Sequence, residues 1–156
     1  PAPYGARLAL PRHQEATMNF FAKIFADDLG KLLVRLSAGG LMLFHGIHKL
    51  QHGAGGIEDI LRANNLPAGL AIGVYVGEVV APILILIGFF ARPAGLVLSF
   101  NMLVAVLLVH TKDLTRITPQ GAWAMELQTF YFLGGLAVFF LGAGRFSVSR
   151  GKGMWN

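Results

Sequence analysis

The sequence predicts an all-α integral membrane protein, a four-helix bundle with an N-terminal interfacial helix. Its residues are 54% hydrophobic and only 13% charged, and its mean hydropathy is +0.59, well away from the balance of a soluble domain. Four apolar stretches approach the roughly 20 residues that a helix needs to cross a hydrocarbon core about 30 Å thick. The 13 lysines and arginines fall mostly between and beyond these stretches, where they act as topology signals. A formal charge of +5 and a pI near 10.0 would also suit nucleic acid, but that partner needs a single basic patch. The lipid bilayer is the partner the pattern implies, and nucleic acid is not. Cysteine is absent, which removes disulfides, thiol nucleophiles and thiolate metal sites, so any redox chemistry must use a bound group.

Residues 1–17 carry three prolines and no apolar periodicity and read as a tail, with Met18 an alternative start. Residues 18–31 place Phe20, Phe21, Ile24 and Phe25 on one helical face with Lys23, Asp27 and Asp28 elsewhere, as in an interfacial helix on the inner leaflet. The spans follow at 32–51, 68–90, 93–111 and 122–142, within one transmembrane domain over 32–149, and residues 150–156 form a C-terminal tail. Spans two and three are joined only by Ala91, Arg92 and Pro93, with the proline suited to a helix start. Between spans one and two, "GIEDILRANNLP" predicts a short amphipathic helix over 57–63 that stops at Asn64 and Asn65. Arg7, Arg12, Lys23, Lys31, Arg35, Arg92, Arg145, Arg150 and Lys152 lie on one side, and Lys49, Arg62, Lys112 and Arg116 on the other. The excess puts both termini in the cytoplasm, with Trp123 at the outer interface.

Ionisable groups inside a span are functional suspects because hydrocarbon penalises charge. Glu78 is the first of them, about ten residues into span two and so about 15 Å below the outer surface. Pro82 lacks the N–H that would bond the Glu78 carbonyl, which brings a freed carbonyl and a carboxyl to one depth. Gly69, Gly73 and Gly77 form a GxxxG stripe expected to seat a neighbouring helix beside Glu78. By depth, His45, Lys49, Glu78, His110 and Glu126 all fall in the outer half, with Asn101 near the depth of Glu78, and a polar cavity open to that side is their simplest arrangement. Arg35, at the inner end of span one, is expected to snorkel to phosphates.

The stretch "FHGIHKLQH" raises a separate question. His45, His48 and His52 lie within about 60° on a helix, as metal ligands would. Lys49 competes on the same face, and Gly53, Gly55 and Gly56 favour fraying near His52. The expectation is therefore a split, with His45 and Lys49 lining the cavity and His48 and His52 at the wet interface.

"RLSAGGLMLFHGIHKL", "GEVVAPILILIGFFARPAGLVLSFNMLVAVLLVH" and "MELQTFYFLGGLAVFFLGAGRFS" resemble the DoxX family of small four-helix bacterial membrane proteins over residues 32–149. The motifs that carry the resemblance are HG-x-x-KL, a glutamate in span two, G-x-x-x-R, a methionine-bearing third helix ending in histidine, and a final G-x-G-R-x-S. His45, Gly46, Lys49, Glu78, Gly88, Arg92, Met102, His110, Glu126, Gly142, Gly144, Arg145 and Ser147 fall on family-like positions. Ser149 stands where family members often carry aspartate. The resemblance implies a bacterial inner-membrane location and redox partners, since relatives include the small subunit of a thiosulfate:quinone oxidoreductase.

Three functions stay open. One is a redox-linked subunit or partner of other membrane proteins, with a homo-oligomer as a further expected assembly, that binds quinone or a small oxyanion in the outer cavity. Glu78, Lys49 and His45 would act there chemically, and Asn101, His110, Glu126, Met102 and Arg35 would serve as binding residues. No flavin fold or haem-type histidine pairing is evident, so the electrons would come from elsewhere. The second is a transporter or metal handler using His45, His48, His110 and Met42 or Met102. The third is a non-catalytic structural subunit.

Overall fold

The computed structural model describes the backbone of residues 12–156, with side chains from Ala22 onward. Residues 1–11 of the expected tail, and the side chains of Phe20 and Phe21, lie outside the described residues. From residue 12 the expected tail is helical. Helix α1 (Arg12–Arg35) continues through a π-helical segment, Leu36–Gly40, into α2 (Leu41–His52). The predicted interfacial helix is thus not set off from span one by any break. Its Asp28 is buried and turned onto the C-terminal loop.

Helix α3 (Gly55–Ala63) is the short amphipathic helix, ended by Asn64 and by Asn65 at φ 58°. A 3₁₀ turn at Ala68–Ala71 leads into α4 (Ile72–Tyr75), a second π segment at Val76–Val80, and α5 (Ala81–Ile87). The expected span through residue 90 stops three residues early. Gly88 adopts a left-handed conformation at φ 67°, its N–H bonds Ile85 O at 3.2 Å, and the Phe89 N–H bonds Leu84 O at 3.1 Å. This is the paired pattern of a Schellman stop. The apolar run continues past Gly88 but the helix does not. Helix α6 (Ala91–Val109) then starts at Ala91, with Pro93 in its first turn.

Helix α7 (Glu126–Leu141) also begins later than expected. Residues 116–124 form a small antiparallel turn, with Thr118 N–H on Ala122 O at 2.8 Å and Ala124 N–H on Arg116 O at 2.9 Å. Pro119 and Gly121, at φ 84°, favour that turn over a helical start. Trp123 stands in it, its indole N–H donating to Leu114 O at 2.8 Å.

Among the described residues, two helical stretches are long and apolar enough to cross a membrane, Ala68–Ile87 and Ala91–Asp113. Helix α7 is apolar but shorter, at 16 residues. The core comprises Ala38, Met42, Ala81, Ile85, Leu98, Met102, Tyr131 and Val138. Its most extensive helix pair is α6 with α7: a Cβ at Gly95 would lie 2.5 Å from Gly135 O, and the Ser99 hydroxyl donates across to Phe132 O at 2.8 Å. The outward faces are apolar as well, with Ile72 and Phe140 each 70% exposed, a distribution that hydrocarbon tolerates and water does not.

Candidate functional site

The residue that shapes the site is Gly46. A Cβ there would collide with the Glu78 carbonyl oxygen and lie 2.7 Å from both Glu78 C and Val79 Cγ2. Only glycine lets the two backbones come this close. One turn beyond Gly46 on the same helix, the Lys49 ammonium reaches the Glu78 carboxylate at 2.5 Å. The Glu78 side chain is 9% exposed and that of Lys49 24%, so the charges are partly withdrawn from solvent and satisfy each other.

Glu78 sits in the π segment Val76–Val80, where the Ala81 N–H donates to Val76 O and so skips a residue of the α-helical ladder. Such insertions recur at functional sites. Here the wider turn precedes Pro82, whose missing N–H disrupts the ladder at the same place. The first run mirrors this: Gly39, in its own π segment, abuts Pro82 O and Ile85.

Tyr131 of α7 is a site residue the spacing arguments passed over. It is buried and edge-on to the His45 ring at 5.8 Å between centroids. The signal was a phenol in the middle of "QTFYFLGG", a polar tip inside an apolar helix. Tyr75 donates its hydroxyl to Lys49 O at 3.4 Å. Lys49 pairs with Glu78, whereas His45, expected to line a cavity with Lys49, is exposed and meets the ring of Tyr131.

His48 and His52 stand apart from these residues. They stack on each other at 4.3 Å between centroids, both exposed, with His52 Nδ1 3.0 Å from His48 O. Among the described residues no three histidines or carboxylates gather as a metal site, and Met42 and Met102 are packed in the apolar core.

The remaining outer residues do not join one polar cavity. His110 Nδ1 lies 3.1 Å from Asp113 Oδ2, and its Nε2 lies 3.3 Å from Gln128 Nε2. Arg116 donates to Asp113 at 2.9 Å. Asp113 and Gln128 thus belong to a second polar group that sequence reasoning did not assemble. Glu126 is exposed in the first turn of α7.

A groove of about 630 Å³ runs between α6 and the stretch from the 3₁₀ turn through α4 into the π segment, under the α3 cap, lined by Ile57, Leu61, Leu70, Phe100, Val104 and Leu107 among others. Gly73, Gly77 and Asn101 also line it. The glycine stripe proves not to be a helix seam. A Cβ at Gly69 or Gly73 would meet nothing within 4 Å, and only Gly77 is pressed, against the Asn101 side chain. Asn101 is the polar side chain of an otherwise apolar groove and packs on Gly77, the residue before Glu78.

Arg35 does not snorkel. It is 1% exposed and donates to Ile85 O at 2.7 Å, Leu86 O at 2.5 Å, and Ala143 O and Phe146 O at 2.8 Å each. The guanidinium fork caps carbonyls at the end of α5 and beyond α7, at the negative ends of the helix dipoles, with Ile85 O also accepting from Gly88 N–H. Nearby, Ser149 donates to Gly88 O at 2.7 Å. Asp28 supplies a carboxylate, accepting from Arg145 N at 2.9 Å and pairing with its Nε at 3.1 Å.

Neither the curated proteins nor the solved structures contain a match to this chain. The DoxX family model matches residues 30–111, a stretch holding Arg35, Gly46, Lys49, Glu78, Gly88 and Asn101. The chain belongs to the DoxX family and is a membrane protein of that type.

Proposed function

We propose that this protein is a four-helix bundle of the bacterial inner membrane with both termini cytoplasmic. In this reading it serves a redox assembly by binding a quinone in the groove under the α3 cap. The observation that carries the reading is the juxtaposition at Gly77: Asn101 lines the groove against it, and the residue that follows Gly77 is Glu78, the buried carboxylate paired with Lys49. A quinone is apolar along its tail and carries carbonyl acceptors at its head, which suits an apolar groove closed by one amide. A small oxyanion suits it less, because a charge in such a lining would lose its hydration without compensation.

Quinone reduction takes up protons and electrons in equal number, and the electrons come from a partner subunit. The residues of this chain bind and move protons. The Asn101 amide donates to the head carbonyl. Glu78 holds a proton when its pairing with Lys49 loosens, and Lys49, the more exposed partner, restores it from the outer side. His45 and Tyr131, ring against ring, hold α2 against α7 by packing.

The test is extraction of the protein, purified in mild detergent, for quinone by solvent partition and absorbance. Near-stoichiometric quinone is expected, with loss of roughly tenfold or more in Gly73→Leu, which fills the groove. Protein that carries no quinone and takes up none when it is added refutes the reading.

A further inference from the structure

At the Arg92 end of the molecule, opposite the quinone groove, lies a polar cavity of about 380 Å³ lined by Asp28, Lys31, Arg92, Arg145, Arg150 and Asn156, among others. It joins three parts of the chain: α1, the start of α6, and the loop after α7. The last is shaped by glycines, since Gly142 and Gly144 adopt φ 76° and 70°. A Cβ on Gly144 would lie 3.1 Å from Asp28 Oδ1 and from Lys31 Cδ.

The four cationic side chains face two carboxylates. Lys31 pairs with Asp27 at 2.5 Å and Arg145 Nε with Asp28 at 3.1 Å. Arg92 spends its Nη1 on Phe139 O and Phe140 O at 2.8 and 3.0 Å and its Nε on Asn156 O at 3.3 Å, which leaves Nη2 without an acceptor among the described residues. Arg150 has no carboxylate partner among the described residues. The surplus of positive charge in a partly enclosed space attracts an anion.

A second observation identifies the kind of anion. Leu141 lines the cavity, and the apolar residues next in sequence to its lining, Phe140, Phe146 and Trp155, are all exposed, with Trp155 O accepting from Arg92 N at 3.1 Å. A free inorganic anion has no use for this apolar rim, whereas a phospholipid has both a charged head and chains to lay on it. We propose that the cavity seats the phosphodiester headgroup of an anionic phospholipid, with an acyl chain against Leu141 and Phe140. Lys31, Arg145 and Arg150 donate to the phosphate oxygens. The site needs only that the chain lies in a membrane, and it is separate from the quinone groove, so quinone-free protein would leave it standing.

Delipidated protein in neutral detergent would be titrated with phosphatidylglycerol, phosphatidylcholine of the same chains, and inorganic phosphate, with binding read by native mass spectrometry and by the unfolding temperature. Phosphatidylglycerol should bind tightest. Each cation near an anionic headgroup is worth roughly fivefold in affinity, so Arg150→Gln should weaken binding about fivefold and Lys31→Gln/Arg150→Gln roughly 30-fold. Lys112→Gln/Arg116→Gln, at the other end, should leave it unchanged. Equal binding of phosphatidylcholine would overturn the proposal, as would equal saturation by inorganic phosphate, which would make the ligand a free anion. Undiminished binding in Arg150→Gln, which removes the cation lacking a carboxylate partner, would overturn the assignment of the cavity even if the double variant failed to fold.

Discussion

The Lys49–Glu78 contact can be tested as a pair. At 2.5 Å and an effective dielectric constant of about 20, the gross attraction is about 7 kcal/mol, and the lost hydration of both groups offsets most of it. Removing one partner is a different matter, because the other stays buried. Lys49→Met strands a carboxylate whose side chain is 9% exposed and should cost about 5 kcal/mol, the upper end for broken buried pairs. Glu78→Gln leaves a lysine with more access to water and should cost about 3 kcal/mol. In the double variant neither charge remains, so its cost should fall about 3 kcal/mol short of the sum. Unfolding of the purified variants in mixed micelles, followed by helical circular dichroism at several denaturant fractions, gives the four free energies. Additivity within about 0.5 kcal/mol would show that the two charges do not meet, and the site described above would lose its centre.

Gly46→Ala should destabilise by about 1–3 kcal/mol through overpacking against the Glu78 backbone, whereas Gly73→Ala, which meets no atom within 4 Å, should be neutral or slightly stabilising in the same assay. Arg35→Met removes the side-chain donor from the carbonyls of Leu86, Ala143 and Phe146, while Ile85 O keeps the Gly88 N–H, and should cost about 3 kcal/mol or more; Arg35→Lys should recover less than half of that, because a single ammonium cannot reproduce the fork. In whole-cell redox assays, His45→Ala should impair function about tenfold more than His48→Ala or His52→Ala, and equal effects would remove His45 from the site. Reporter fusions after residues 60 and 115 should report the outer side of the membrane, and a cytoplasmic signal from either would break the topology.

The apolar stretches were legible because hydropathy is a sum over many residues and survives local error. Their ends were not, because an end is decided by one or two backbone conformations. The run from Leu66 to Phe90 is apolar throughout its second half, yet the helix stops at Ile87 because Gly88 can turn left-handed and Phe89 can bond back to Leu84. The same failure occurs at Ala122, where a turn built on Pro119 and Gly121 captures residues that hydropathy assigned to the last span. Arg35 was misread for a related reason. Position along a span gives depth, and depth suggested a side chain reaching for lipid phosphate. The direction of the side chain depends on which unpaired carbonyls lie nearby, and those belong to helix ends distant in sequence.

Glycines show most clearly what spacing can and cannot say. The Gly69, Gly73 and Gly77 stripe has the period of a packing seam, but the period fixes only a face and not what covers it. Gly73 opens the groove and Gly77 meets a side chain, while the close backbone contacts are made by Gly46 with Glu78 and Gly95 with Gly135, neither of which repeats. Glu78 was identifiable from the sequence because hydrocarbon punishes an unpaired carboxyl wherever it points. Its partner was identifiable only as one of several polar residues at a similar depth. Gly46 selects among them: it brings one particular turn of the first helix against the Glu78 carbonyl, and the lysine that reaches the carboxylate is the one a turn further on. In "HGIHKL" the glycine therefore sets the distance and the lysine supplies the charge, and replacing either should disturb the same ion pair by a different route.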